Sequence, residues 1–354
     1  MRVLVCDDSA VMRRALSKLI ASEPGFEVTD TARNGREAVE KCRLLRPDAM
    51  TMDIEMPEMD GLAALQQIMA QCPTPVLMCS TLTTEGSHAA LNALKMGAVD
   101  FLAKDVFALT STDGSLREEL LSKLRGLRES RIRRGAMPAP GRAAAAKGSG
   151  PAGLPVFRAG QFDAVLLGSS TGGPPVLEQI FTALPATLAA PVVVAQHMPL
   201  LFTRSLAERL SRLCRVGVVL GEDGMALKRG VVAIIPGGMH GRVRRSMGAM
   251  RLEVSPDPKE ALYKPSVDEL LFSGGRTLGV RCLGVVVTGM GEDGLLGAKE
   301  LVRSGGTLIA QDQDTACIWG MPRAVTEAGL VSANLTPGQI AAALSQMRSD
   351  SAAA

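Results

Sequence analysis

Aromatic side chains are scarce in this chain, which has eight Phe, one Tyr and one Trp in 354 residues. So few stacking groups argue against a binder of single-stranded nucleic acid built on aromatic platforms, and they leave an aliphatic core. Basic and acidic residues nearly balance, 39 against 36, so the domain-wide basic footprint of a DNA binder is missing too. No apolar run approaches the roughly 18 residues of a membrane span, so direct membrane insertion is not expected. The N-terminus reaches Asp7 and Asp8 after a short apolar stretch, unlike a signal peptide, and the expected compartment is the cytoplasm. Seven scattered cysteines without a C-x-x-C pair suit a reducing compartment and suggest small apolar residues, neither zinc ligands nor a disulfide framework.

What is present is ordinary globular material, 46% hydrophobic and 21% charged, in a chain long enough for two domains of roughly 150 residues. Composition breaks at residues 131–160, where Ala, Gly and Pro fill 18 of 30 positions. That segment holds six basic residues and no acid, and it reads as a linker. The expected division is a first domain over 1–125, a flexible linker over 126–160 and a second domain over 161–350. In the first, short apolar runs at 3–6, 26–28, 49–52, 75–79 and 99–102 alternate with helical patterns. In the second, runs at 164–167, 192–195, 231–235, 283–287 and 307–309 do the same, with a weaker run before Asp223 and a local hairpin expected around Gly248. Alternation of this kind predicts α/β architecture: two doubly wound parallel sheets, the first flavodoxin-like and the second Rossmann-like.

Functional groups of an open parallel sheet gather at the carboxyl ends of its strands. In the first domain Asp7 and Asp8 follow the first strand, Asp53 the third, Ser80 the fourth and Lys104 the fifth. Singly, each acid could cap a helix or begin a turn. Jointly they form an acid pocket whose oxygen-only ligands suit Mg²⁺. Asp53 could attack a phosphoryl group there, with Lys104 and the Ser80 hydroxyl holding the phosphoryl oxygens. Together with Met56-Pro57, Asp60-Gly61, Thr81 and Phe101, these residues resemble a response-regulator receiver domain. The resemblance implies phosphorylation of Asp53 by a histidine kinase, and a Mg²⁺ site formed by Asp7, Asp8, Asp53 and Glu55, with Asp8 a direct ligand and Asp7 acting through water. Asp105 departs from the pattern, since receivers usually place Pro after the lysine.

The second domain carries Gly168-Ser169-Ser170-Thr171-Gly172-Gly173 between a strand and a helix, a G-x-S-x-G turn that exposes Ser170 at a helix N-terminus. The same turn could cradle a phosphate. A nucleophilic serine needs a base, and of the three histidines His88 belongs to the first domain. His197, two residues past a strand, is preferred to His240. An acid must orient the imidazole, and Asp293, directly after an apolar strand, is preferred to Asp223 and Glu292. The tetrapeptide Gly-Glu-Asp-Gly occurs at both 221–224 and 291–294, too short a match to be called a repeat.

With Gln196-His197-Met198-Pro199, Pro236-Gly237-Gly238-Met239-His240 and Thr288-Gly-Met-Gly-Glu-Asp-Gly294, this domain resembles the catalytic domain of the chemotaxis protein-glutamate methylesterases. The resemblance implies a Ser170, His197 and Asp293 triad, with backbone N–H groups at Thr171 and Met290 facing the oxyanion and no cofactor in the hydrolase reaction. It implies demethylation of glutamyl methyl esters, and deamidation of glutamines, on methyl-accepting chemoreceptors. Phosphorylation would shift the population in which the receiver uncovers the catalytic face. The rivals are a receiver with a non-catalytic output domain, an esterase for another substrate, and a transcriptional regulator using Arg242, Arg244 and Arg245, although no helix-turn-helix pattern accompanies that cluster.

Overall fold

The structure is a computed structural model that describes residues 1–104, 115–134 and 155–347. The chain divides into two compact units, Met1–Ala145 and Ala146–Ala354. Asp105 and residues 135–154, most of the expected linker, lie outside the described residues.

The first unit is a five-stranded sheet in the order β2-β1-β3-β4-β5. Its strands are β1 (Arg2–Cys6), β2 (Glu27–Ala32), β3 (Ala49–Asp53), β4 (Val76–Thr81) and β5 (Asp100–Lys104), every pairing parallel. The helices α1 (Ala10–Ala21), α2 (Gly35–Leu45), α3 (Gly61–Gln71) and α4 (Thr84–Lys95) begin at Ser9, Asn34, Asp60 and Thr83, each of whose side chains accepts a backbone N–H of the first turn. β3 is buried at all five positions, as a strand covered by helices on both faces must be.

A fifth helix, α5 (Ser115–Arg134), runs across the boundary expected at residue 125. It buries Leu120, Leu121, Leu124 and Leu127. Lys123 Nζ meets Asp100 at 2.8 Å, Arg125 meets Glu23 at 2.8 Å, and Arg128 lies over the Phe26 ring. The first unit's packing therefore reaches past residue 125. At the other end, Phe157 is buried edge-on against Phe162 and its N–H donates to Gln346 Oε1, so packed residues lie at both described margins of the 126–160 segment expected as a linker.

The second unit is a seven-stranded parallel sheet ordered β14-β13-β12-β6-β7-β9-β8. The strands are β6 (Ala164–Ser169), β7 (Val192–Gln196), β8 (Gly217–Leu220), β9 (Val231–Ile234), β12 (Cys282–Val286), β13 (Thr307–Gln311) and β14 (Ala333–Leu335). β8 and β14 are short edge strands, and β14 has too few residues to leave a pattern in the sequence. The antiparallel pair β10 (His240–Ser246) and β11 (Ala249–Ser255) stands apart as the expected hairpin. From β6 the chain winds one way to β7 and later returns to β12 on the other side, so the ends of β6, β7 and β12 flank the switch point where open α/β sheets place their sites.

Helices α6 (Gly173–Thr182), α7 (Leu200–Leu213), α8 (Val267–Leu278), α9 (Leu295–Arg303), α10 (Met321–Glu327) and α11 (Pro337–Ser345) complete the unit. α8 and α9 approach to backbone contact because glycines face the crossing. A Cβ on Gly297 would sit 2.5 Å from the Asp268 carbonyl oxygen, and one on Gly275 3.0 Å from Leu301 Cα. This close crossing sets the residues that precede α9, Asp293 among them, against the first turn of α8. Gly297→Val is expected to force the two backbones apart and cost about 1–3 kcal/mol, read as a lower calorimetric midpoint of the second unit.

Candidate functional sites

In the first unit the carboxylates of Asp7, Asp8 and Asp53 offer oxygens that all lie within 4.8 Å of one another. Lys104 Nζ lies 2.7 Å from Asp7 and 2.6 Å from Asp53. Burial pushes the Asp53 carboxyl up to about 6, against the opposing pull of Lys104, with Asp7 adding repulsion. Three clustered carboxylates and one ammonium leave excess negative charge, and an all-oxygen donor set of this kind fits a hard divalent cation. Glu55 does not join the cluster with its side chain, although its backbone N–H donates to Asp53. Ser80 lines the same cavity as Asp53, Thr81 and Gly86, but its hydroxyl donates to the Gly86 carbonyl at 2.8 Å. Contact between Ser80 and a phosphoryl group thus requires that hydroxyl to turn.

In the second unit Ser169 on β6 pairs with Gln196 on β7, so Ser170 and His197 leave adjacent strands side by side. Gln196 locks the two exits together. Its Oε1 accepts from Ser169 Oγ at 2.6 Å, while its Nε2 donates to the carbonyls of Ser170 at 3.0 Å and His197 at 3.3 Å. Thr288, two residues beyond the end of β12 at Val286, braces the serine turn from the other side. Its carbonyl accepts Ser170 N–H at 3.0 Å and its hydroxyl donates to the Thr171 carbonyl at 2.9 Å. A Cβ on Gly289 would lie 2.8 Å from Ser170 Cβ, so the loop carrying Met290 runs directly beside the serine only because that residue is glycine.

His197 Nε2 lies 2.7 Å from Asp293 Oδ2. A carboxylate only accepts, so the neutral ring carries its hydrogen on Nε2 and its lone pair on Nδ1. Nδ1 is buried and has no hydrogen-bond partner among the described residues. Asp293 is held from behind by the N-terminus of α8: Oδ2 accepts Val267 N–H at 2.7 Å, and Oδ1 accepts Asp268 N–H and the Ser266 hydroxyl, both at 3.0 Å. Burial raises the Asp293 carboxyl, but these donors and His197 overcome it and hold the group below its ordinary value. The Tyr263 ring stacks on His197 with centroids 4.3 Å apart and planes 4° apart. An imidazole oriented in this way can take a proton at Nδ1 and keep the resulting cation paired.

The alternatives weighed on sequence have other positions. Asp223 accepts Val254 N–H at 2.9 Å and so anchors the hairpin, which gives the two Gly-Glu-Asp-Gly segments different work. His240 is buried and bonded to Pro258 and Ser266. Arg242, Arg244 and Arg245 are each paired with an acid, Glu253 and Glu269, Glu253, and Asp163 respectively, so the charge of that cluster is compensated. Tyr263 and Ser266 escaped sequence reading. The Ser266-x-x-Glu269 spacing before an apolar run was the available signal for Ser266.

The family model for CheB methylesterase matches residues 165–344, and that for the response regulator receiver domain matches residues 3–110. The protein-glutamate methylesterase/protein-glutamine glutaminase 1 of Oleidesulfovibrio alaskensis is 43% identical, covering 93% of this chain and 94% of that protein. The protein-glutamate methylesterase/protein-glutamine glutaminase of Geobacillus kaustophilus is 43% identical over 98% of each. Among solved structures, the CheB methylesterase catalytic domain of Thermotoga maritima is 37% identical with a TM-score of 0.51, covering 52% of this chain and 98% of that one. Fold and site together define a response-regulator receiver joined in one chain to an α/β ester hydrolase. The chain belongs to the CheB methylesterase family.

The raised carboxyl of Asp53 has a thermodynamic consequence. With its folded value near 6 and its ordinary value at 3.8, the folded state binds this proton more tightly than the unfolded one. Stability is therefore lost as pH rises from about 3.8 through 6, and above that the penalty is complete, at most about 3 kcal/mol. Asp53→Asn is expected to raise the calorimetric midpoint of the receiver at pH 7.5 in EDTA. Mg²⁺ should raise the parent's midpoint and leave that of the variant nearly unchanged.

Proposed function

We propose that this chain hydrolyses glutamyl methyl esters, and deamidates glutamines, on the cytoplasmic part of methyl-accepting chemoreceptors, under control of phosphorylation at Asp53. The observation that supports the hydrolase reading is the 2.7 Å His197–Asp293 pair, which leaves Nδ1 without a hydrogen-bond partner among the described residues on a histidine that follows the strand next to that of Ser170. In this reading Nδ1 takes the Ser170 proton as Oγ attacks the ester carbonyl. The tetrahedral oxyanion is met by backbone N–H groups at Thr171 and Met290, on the two loops that converge on Ser170. The imidazolium, paired with Asp293, then protonates the departing alkoxide and methanol leaves. Water, deprotonated by the same Nδ1, attacks the acyl-serine, and glutamate is released with Ser170 regenerated. For an amide the leaving group is ammonia and the steps are otherwise the same.

The receiver side follows from the acid pocket. Asp7, Asp8 and Asp53 would hold Mg²⁺, with Glu55 contributing through its backbone if at all, and the ion would neutralise the phosphoryl oxygens as Asp53 receives the group from a histidine kinase. Lys104, already 2.6 Å from Asp53, would move onto the phosphoryl group, and the Ser80 hydroxyl would leave Gly86 to follow it. Such a rearrangement gives phosphorylation a mechanical output at the ends of β4 and β5. The compartment of a chain acting on receptor cytoplasmic domains is the cytoplasm, and no described helix is long and apolar enough to cross a membrane.

Ser170→Ala deletes the nucleophile and little volume. Methanol release from a methylated receptor fragment is expected to fall by at least about a thousandfold, with the unfolding midpoint unchanged within error. Activity within tenfold of the parent would remove Ser170 from the mechanism. Asp53→Asn should abolish Mg²⁺-dependent labelling by a small phosphodonor and leave basal hydrolysis insensitive to that donor. A parental level of label would place the phosphoacceptor elsewhere.

A further inference from the structure

His240 is fully buried, and its hydrogen bonds go to neither Ser170 nor Asp293. Its two nitrogens instead span the loop that leads into α8. Nδ1 lies 3.2 Å from Ser266 N, and Nε2 lies 3.2 Å from the Pro258 carbonyl oxygen. A backbone N–H can only donate and a carbonyl can only accept, so both bonds coexist in a single protonation state, the neutral ring with hydrogen on Nε2. The segment so tied, 258–266, carries the two groups that orient His197 from outside the strand exits. Tyr263 stacks on the His197 ring, and Ser266 donates its hydroxyl to Asp293 while capping α8.

Resting on the hydrolase reading above, we propose that His240 is a positioning residue. As a neutral Nε2–H imidazole it fastens Ser266 against Asp293 and Tyr263 against His197. A second proton would sit on Nδ1 and point at the Ser266 N–H, breaking the bond that holds the cap. The charged groups around the ring are Arg242 on β10, Glu269 on α8 and Lys264 on the loop. Burial favours the neutral ring and outweighs the Pro258 carbonyl and Glu269, which favour the cation, while Arg242, paired with Glu269 at 2.6 Å, and Lys264 oppose a second proton. The group is therefore lowered below its ordinary 6.5, so the stability it contributes is present above about 6.5 and is lost as pH falls through the lower folded value.

Full-length parent and variants would be tested on a methylated receptor fragment. His240→Asn places an amide oxygen where Nδ1 stands and preserves the bond from Ser266. His240→Gln places an amide N–H near Nε2 and preserves only the bond to Pro258, and His240→Phe keeps the ring volume and neither bond. The expected order of kcat is parent, Asn, Gln, Phe, with Phe down about tenfold or more and KM within about twofold, since orientation of the acid and base is lost and substrate contact is not. A residue that only filled space would give the opposite order, with Phe best and Asn worst, and that order overturns the proposal. Imidazole ¹⁵N spectra of the parent supply a readout independent of whether any variant folds, because the chain has only three histidines to assign. The Nε2–H tautomer for His240 at pH 7.5 supports the proposal, and an Nδ1–H tautomer or an imidazolium overturns it. Parental hydrolysis by Ser170→Ala is a different failure, since it removes the nucleophile on which the proposal rests whatever the His240 variants do.

Discussion

The second unit is organised around one buried charge, the carboxylate of Asp293. An unpaired carboxylate in this position would be costly, and the fold answers it with the first turn of α8, whose N–H groups at Val267 and Asp268 and whose capping hydroxyl at Ser266 converge on its oxygens. Only one direction then remains for an external donor, and His197 Nε2 fills it. The orientation of the imidazole is thus a consequence of where a helix begins. That in turn depends on the glycine-lined crossing of α8 and α9, which brings the residues ahead of one helix to the N-terminus of the other. Asp268, one residue into α8, returns the arrangement by accepting Gly297 N–H of α9 at 2.7 Å. Burial and the nearby Asp293 push its carboxyl up to about 6 against the hydrogen bonds it receives from α9, so two acids share one helix junction with opposite shifts.

The first unit handles its charge differently. Asp7 and Asp53 face a single ammonium, Lys104, with Asp8 exposed at the rim. Burial outweighs the attraction of Lys104 and the Asp53 carboxyl stays raised. A pocket with an unbalanced charge stores a preference for a cation, and afterwards for any change that redistributes its negative charge. The Asp293 carboxylate is met by donors on both oxygens, whereas the acid pocket is electrostatically incomplete. That difference sets a fixed arrangement of side chains in one unit against a charge-responsive one in the other.

Much of both sites was legible in the chain because parallel α/β sheets make an uncommon promise: side chains just past the carboxyl ends of the strands share an edge. Asp7, Asp53 and Lys104 could be placed together from strand spacing alone, as could Ser170 and His197. The choice of His197 over His240, or of Asp293 over Asp223, was a weaker inference, since each loser also follows a strand-like run. Boundaries were least legible. The Ala, Gly and Pro composition of 131–160 suggested a linker throughout, but α5 runs on to Arg134, with buried leucines as far as Leu127, and Phe157 is buried. Local composition is averaged over a window, and a few buried contacts at its margins decide where packing stops.

By itself, then, the sequence determined the alternation of strands and helices, the parallel sheets, the edge on which each site lies and the residue types available there, because all of these follow from periodicity and from short-range turn chemistry. Tertiary structure alone decided which nitrogen of His197 carries the hydrogen, since that depends on Asp293 arriving 96 positions later in the chain. It alone put Tyr263 against His197, tied His240 to Ser266 and turned the Ser80 hydroxyl toward Gly86. The physical reason is the range of the interactions involved. Hydrophobic periodicity and capping are read within one or two turns, whereas a hydrogen bond's direction and a buried charge's partners exist only after distant segments have packed.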